Sequence, residues 1–500
     1  MSHKPRVIYV SPEFSPLAKS GELADVAATL PKYLSSLGIK ISIFMPKYRN
    51  PEIESFPKEL VMRDLLVPVG GEKVKASVYK GELGKHDIYF IDNPKYFWRD
   101  YIYGTGRGEY LDNDERFIFF NRGVLEFLLK GKMHVDIIHC NNWPTALIPV
   151  FLRTHYSKKS KFKNIATVFT LHNVAYQGEF PPETLALTGL NWNYFNPKQL
   201  AFNGKFNFLK AGVIFSDVLN TVSSAYKREI QTEKHGFGLH EILNNRRDVF
   251  FSIRNGLDYE MWNPETDPYI VANYSLSDLK PKKKCKRDLI KEFGLSLSVK
   301  TPLIGMVSYM SSQKGFDILL ETVDKLMEMD VGLVILGKGH EEYENKFLNM
   351  QKKYPRKIAL EFGVNPGLAH KVVAGADIFL IPSLYEPCGL NQLCSFRYGT
   401  VPVVRATGGL GETVKPFSLK TLKGNGFVFK EYSPQALLTV IKKALSCYKK
   451  PDHWQKIMEA GLRENFSWDT AARKYARLYQ NALEIRRGGK VGRRHLGHFR

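Results

Sequence analysis

The chain has 500 residues, of which 44% are apolar and 24% charged, with a formal net charge of +22. That length exceeds what one hydrophobic core supports, so two domains are expected, and the composition is that of a globular chain. No uninterrupted apolar run is long enough to span a bilayer and the N-terminus lacks an apolar leader core, which excludes a membrane partner and gives a cytoplasmic location as the expectation.

In chain order, Val7–Val10 reads as a short buried strand followed by a loop carrying Lys19, Ser20 and Gly21. Leu23, Val26, Ala27, Leu30, Leu34 and Leu37 recur at helical spacing, and Gly38 closes that helix. ISIFMP is the next strand. GTGRG at 104–108 imitates a phosphate loop but follows no strand and is set aside. Asp112-Asn113-Asp114 imitates a metal-binding DxD. It stands before an amphipathic helix (Phe117, Phe120, Val124, Phe127), so an N-cap is expected there and no metal is required. Strands follow at 135–140, 166–172 and 217–223.

The pattern restarts after a basic, Pro-containing segment, with the boundary expected between Phe251 and Pro264. Strands at 302–308, 331–337 and 358–363 alternate with helices at Phe316–Met329 and near 341–353. A helix starting near Phe466–Asp469 and running to about Arg486 is expected to pack back on the first domain. The expected fold is therefore α/β, with two Rossmann-like domains facing each other across an interdomain cleft. The divisions are 1–255, 256–465, the helix 466–486, and a basic disordered tail 487–500.

The stretch Asp377–Glu412 carries the chemistry. An apolar strand, DIFLIPS, leads at once to Glu386 and Gly389; a helix fits Leu390–Tyr398 and stops at Gly399; a second strand, VPVVRA, ends at Thr407-Gly408-Gly409. Ligands sit beyond the carboxyl ends of parallel strands, and helix N-termini there offer N–H groups to anions. Two such junctions in succession point to a phosphorylated ligand, with Glu386 facing a neutral polar group. Cys140, Cys285, Cys388, Cys394 and Cys447 are scattered, with no CxxC pair, so neither a disulfide framework nor a zinc site is expected. Cys388 is read as packing. The basic runs at 158–163, 280–287 and 352–357 lie outside any nucleic-acid module, so they are read as solvated surface and no specific nucleic acid is expected.

Taken together, these segments resemble the bacterial glycogen synthases and plant starch synthases. SPEFSPLAKSGELAD resembles the family's Lys-Thr-Gly-Gly-Leu-Ala-Asp loop; TLHNVAYQGEF, FNGKFNFLKAG, RNGLDYEMWNPETD, SSQKGFD, YEPCGLNQL and ATGGLGETV occur in the family's order. The resemblance implies a GT-B fold and retaining transfer of glucose from ADP-glucose, or UDP-glucose, to the nonreducing end of an α-1,4-glucan such as glycogen. It implies no cofactor. It places His172, Lys314, Glu386 and Asp25 in the catalytic set. Lys19, Gly21, Gln177, Asn255, Cys388, Gly389, Leu390, Thr407, Gly408 and Gly409 are placed on the substrates. Lys314 and Lys19 would supply cations to the departing diphosphate, the 20–21 backbone a further positive point, and the 407–409 bend its amides.

Four departures stand out. Tyr309 replaces an arginine five residues before Lys314, Glu22 a glycine, Asn142 an aspartate (with Pro144 for a histidine nearby), and Val364 an aromatic face for adenine. A tyrosine cannot give a diphosphate the forked, permanent charge of a guanidinium. An alternative therefore stands beside the synthase reading: a catalytically impaired homologue that binds glucan or regulates a partner synthase. A basic nucleic-acid binder is the third reading.

Overall fold

Buried strands alternating with amphipathic helices divide the chain into two units. The first runs to Val222 and takes in Lys227–Arg254 and the chain from Trp468; the second comprises Ser223–Tyr226 and Asn255–Ser467. The computed structural model describes residues 4–105, 108–363 and 365–488. Residues 1–3, 106, 107, 364 and 489–500 lie outside the described residues, the last including most of the expected basic tail.

In the first unit the sheet contains β1 (Arg6–Val10), β2 (Lys40–Pro46), β3 (Lys58–Val69), β4 (Glu72–Leu83), β5 (His86–Asp92), β6 (Ile137–Asn141), β7 (Ala166–Leu171), β8 (Val218–Thr221) and β9 (Phe250–Ser252). Their order is β9-β8-β7-β6-β1-β2-β5-β4-β3. Every residue of β6 and β7 is buried, as befits parallel strands covered on both faces. The helix Glu22–Ser36 turns Leu23, Val26, Leu30 and Leu34 inward and ends before Gly38, whose φ of +80° suits glycine. The antiparallel β3–β4–β5 extension was not anticipated from the sequence. β3 is largely exposed and carries two register shifts, between Leu60 and Met62 and between Met62 and Leu65, which erase a period-two pattern.

The C-terminal helix Trp468–Arg486 belongs to this first unit. Tyr475 and Tyr479 are fully buried; the Tyr479 hydroxyl meets His139 Nδ1 at 2.9 Å and the Tyr475 hydroxyl accepts from Asn220 Nδ2 at 3.1 Å.

In the second unit β10 (Leu303–Val307), β11 (Gly332–Leu336), β12 (Ile358–Glu361), β13 (Ile378–Ile381), β14 (Val401–Arg405) and β15 (Phe427–Phe429) form a parallel sheet. The order is β12-β11-β10-β13-β14-β15. The chain winds outward one way from β10 and the other way from β13, so the two central strands send their following loops to opposite faces. In open parallel sheets such a reversal at the carboxyl edge is where ligands are held.

Candidate active site

That reversal brings Lys314 and Glu386 together in the second unit. Lys314 closes a single turn, Ser312–Lys314, after β10, and Glu386 lies in the loop after β13. Lys314 Nζ donates to both carboxylate oxygens, at 2.9 and 2.7 Å, and the Ser383 hydroxyl adds a 3.0 Å bond. Glu386 is 3% exposed. Gly315 makes this approach possible: its φ is +81°, and a Cβ would stand 2.4 Å from the Pro382 carbonyl oxygen.

Glycines likewise join the loop after β13 to the bend after β14. A Cβ on Gly408 would meet the Glu386 carbonyl oxygen at 1.9 Å, and one on Gly409 the Cys388 carbonyl oxygen at 1.7 Å. Gly409 N donates to the Glu386 carbonyl at 3.1 Å. This corrects the expectation that the Gly409 amide is held open for a phosphate. The glycines are required because two stretches of backbone abut, and that amide is used in joining them. Gln392 reinforces the junction, its Nε2 reaching the Cys388 carbonyl at 3.2 Å and Thr413 Oγ1 at 3.3 Å.

Cys388 is buried and outside any disulfide, Gly389 takes φ +68°, Leu390 leads into the helix Asn391–Arg397, and Thr407 is buried before Gly408. Asn255 is 2% exposed, and its Oδ1 has no hydrogen-bond partner among the described residues. Tyr309 is 55% exposed, with its ring edge-on to His340. Val364 lies outside the described residues.

In the first unit the strand order reverses between β1 and β6, and the loops leaving them carry Lys19 and Asn142. Lys19 Nζ is 2.8 and 2.7 Å from the two oxygens of Asp25, which lies in the first turn of its helix. Ser20 N and Gly21 N both donate to Glu13 Oε2, at 2.6 and 3.1 Å, while the Tyr103 hydroxyl holds Oε1 at 2.8 Å. The 20–21 backbone therefore does not stand ready as a positive point. A buried carboxylate of the same chain already occupies it, a second correction.

His172 follows β7 and is 9% exposed. Its backbone N–H donates to Asn142 Oδ1 at 2.8 Å, and its Nε2 lies 2.9 Å from Asn141 Oδ1. Asn141 Nδ2 donates to the Val10 carbonyl, so Oδ1 accepts, Nε2 carries the proton and Nδ1 keeps its lone pair. Burial lowers the imidazole pKa to about 3, leaving it neutral at physiological pH. Asn142 sits at φ +57° and ψ 177°, a strained conformation outside the left-handed helical region that asparagine favours, and its amide oxygen receives that N–H in place of a carboxylate.

Gln177 donates to the Val174 and Phe237 carbonyls and accepts from Asn207 Nδ2. Both N–H groups of its amide are thus used in holding this turn, and Oε1 carries one donor. Asp112 occupies an N-cap position without a side-chain capping bond; its carboxylate pairs with Arg99 at 2.5 and 2.7 Å instead. Among the described residues no cluster of three His, Cys, Asp or Glu could hold a metal.

Lys314, Glu386, Cys388, Gly408 and Gly409 thus form one cluster, Lys19, Asp25 and Gly21 a second, and His172 sits in an asparagine network of its own. Glu13, Asn141, Ser383 and Gln392 were missed. Glu13 had a signal, a carboxylate six residues before Lys19 in the same loop; Ser383, three before Glu386, had a weaker one.

A family model described as starch synthase catalytic domain matches residues 6–245, and one described as glycosyl transferases group 1 matches residues 290–460. The chain is 43% identical to the glycogen synthase of Koribacter versatilis over 484 residues, covering 96% of this chain and 99% of that one. It is 43% identical to the glycogen synthase of Thermotoga maritima over 495 residues, covering 98% and 100%. The catalytic domain of starch synthase IV from Arabidopsis thaliana, bound to ADP and acarbose, superposes with a TM-score of 0.89 at 30% identity, covering 96% of this chain and 100% of that one.

Proposed function

The chain belongs to the glycogen and starch synthase family of GT-B glycosyltransferases, and on that premise we propose that it transfers glucose from ADP-glucose to the nonreducing end of an α-1,4-glucan with retention. The observation that carries this reading is the Lys314–Glu386 pair at the strand-order reversal of the second unit. The ADP and acarbose bound by the plant relative support an adenosine diphosphate donor and a glucan acceptor.

In the proposed reaction the bond from the glucose anomeric carbon to the diphosphate breaks. A bond to the acceptor's 4-hydroxyl oxygen forms, and the acceptor's proton leaves with ADP. Charge then accumulates on the diphosphate, and a cation fixed beforehand stabilises it more cheaply than water that must reorient. Glu386 and Ser383 fix Lys314, and Lys19 is assigned to the substrate's negative charge in the same reading. His172, neutral and protonated on Nε2, would accept a sugar hydroxyl at Nδ1 and would not serve as an acid near pH 7. Asp25 would position Lys19. A cytoplasmic site goes with this reading, since all five cysteines are buried thiols outside any disulfide.

The test is purified protein with glycogen and either ADP-glucose or UDP-glucose, following nucleoside diphosphate release and glucose incorporation. ADP release coupled to chain elongation is expected. Faster turnover with UDP-glucose would overturn the donor, and glycogen binding without release from either would overturn the reaction.

A further inference from the structure

A concavity of about 600 Å³ opens on the first unit at the amino-terminal ends of β1, β2 and β5, the edge opposite the one that carries Lys19 and His172. Arg6, Lys40, Lys85 and Lys132 contribute to its wall, with His134, Ser35 and Ser42. None of those four cations has an ion-pair partner among the described residues. Asp87 is the one acid in the lining, and it pairs with Lys80 at 2.9 Å. Asp136, nearby, accepts from Arg6 N and stands 3.9 Å from His134 Nδ1.

Arg6 and Lys40 are direct register partners on adjacent parallel strands. Like charges placed opposite each other in a sheet repel, and packing gives no reason to keep both. An anion held between them turns that repulsion into attraction. The volume falls within the range of small-ligand sites, and four cationic residues lining one concavity match an anion of several charges better than a single carboxylate.

We propose that this concavity binds a small polyphosphate, a di- or triphosphate group, at a site separate from the transferase chemistry. The probe is inorganic tripolyphosphate, titrated calorimetrically into the full chain at low and at physiological salt. Because the Lys314 region is itself proposed to hold a diphosphate, the titration is run on the native chain, on Lys314→Ala, and on Lys40→Gln/Lys85→Gln/Lys132→Gln.

The triple variant is expected to lose one class of site, with affinity there falling about tenfold or more and the salt dependence shrinking, while glucan elongation stays within about twofold of native. Lys314→Ala is expected to keep that class. An unchanged isotherm in the triple variant would overturn the proposal, as would loss of all tripolyphosphate binding in Lys314→Ala. An equal loss in Lys280→Gln/Lys283→Gln/Lys284→Gln, exposed lysines of the second unit, would reduce the effect to overall charge and overturn it too. So would a short DNA duplex that displaced tripolyphosphate at equal phosphate concentration, because the face would then be one for nucleic acid.

Discussion

Replacing Gly409 by alanine puts a methyl group where the chain has left no room. The added Cβ would lie 1.7 Å from the Cys388 carbonyl oxygen, 2.4 Å from its carbon and 2.7 Å from the Cys388 Cα. All three are backbone atoms that cannot rotate away, so the 386–388 and 407–409 segments must part by about 1.5 Å before contact becomes ordinary. That parting breaks the bond from Gly409 N to the Glu386 carbonyl and carries the Glu386 side chain with it. A misplacement of about 1 Å in a positioned group costs about a hundredfold in rate, or roughly 2.7 kcal/mol in barrier. Overpacking adds about 1–3 kcal/mol of lost stability. Gly411→Ala is the internal control: it lies in the same short helix, yet its Cβ would come no nearer than 3.4 Å to Ala406. ADP release from ADP-glucose with glycogen should be compared at a temperature where both variants give native circular dichroism. Gly409→Ala should lose about two orders of magnitude in kcat/KM and Gly411→Ala less than about threefold. Equal rates in the two variants would show that the junction does not position the site.

Lys314→Ala strands a buried carboxylate with the Ser383 hydroxyl as its remaining hydrogen-bond donor among the described residues, which should cost about 2–3 kcal/mol in a urea melt and at least about a hundredfold in turnover. Because the pair acts as a unit, Lys314→Ala/Glu386→Gln should be little worse than either single change, and strictly additive rate losses would separate the two residues. His139, with its pKa lowered to about 3 by burial, takes up a proton readily only when unfolded. Stability contributed by its neutral form is therefore complete above about pH 6.5 and declines by about 1.4 kcal/mol per pH unit as pH falls toward 3. Melts of His139→Gln from pH 7 to 4.5 should show a shallower slope than native, and parallel slopes would contradict the assignment. Tyr309→Arg returns a guanidinium to an exposed position five residues before Lys314 and should raise kcat/KM about tenfold or more; unchanged activity would mean that another cation does this work.

The second unit was the more legible because its strands are short, apolar and largely buried: DIFLIPS and VPVVRA announce themselves, and β13 and β14 lie within them. The first unit's β3 gave no such signal, being half solvated and irregular in register. Sequence patterns could pick out Lys314 and Glu386 singly, but not the bond between them, which joins positions 72 residues apart. The Gly408–Gly409 pair was legible as a place of close approach, whereas what approaches was not. A glycine-rich bend looks the same whether a phosphate or a neighbouring carbonyl fills the space, and here the carbonyls of Glu386 and Cys388 fill it. Glu13 escaped for a related reason: a carboxylate beside a basic loop reads as surface until Tyr103, 90 residues away, is seen closing over it.

These internal bonds bear on how an anionic substrate would be held. Lys19 faces Asp25, the amides of Ser20 and Gly21 face Glu13, and Lys314 faces Glu386. Each positive group assigned to a diphosphate thus carries a carboxylate partner from its own unit, which cancels much of its long-range field. A diphosphate would therefore gain little from these lysines at a distance and much on contact, when Nζ shares its three protons between carboxylate and phosphate oxygens. That arrangement favours the species with the most charge on the bridging oxygen, which is the departing diphosphate and not the intact donor. Stabilisation that grows along the reaction raises turnover, whereas equal stabilisation of both states only tightens binding. Glu386→Gln discriminates between the two cases: freeing Lys314 should tighten ADP binding while slowing transfer. Weaker ADP binding together with slower transfer would mean that Glu386 acts on the sugar and not through Lys314.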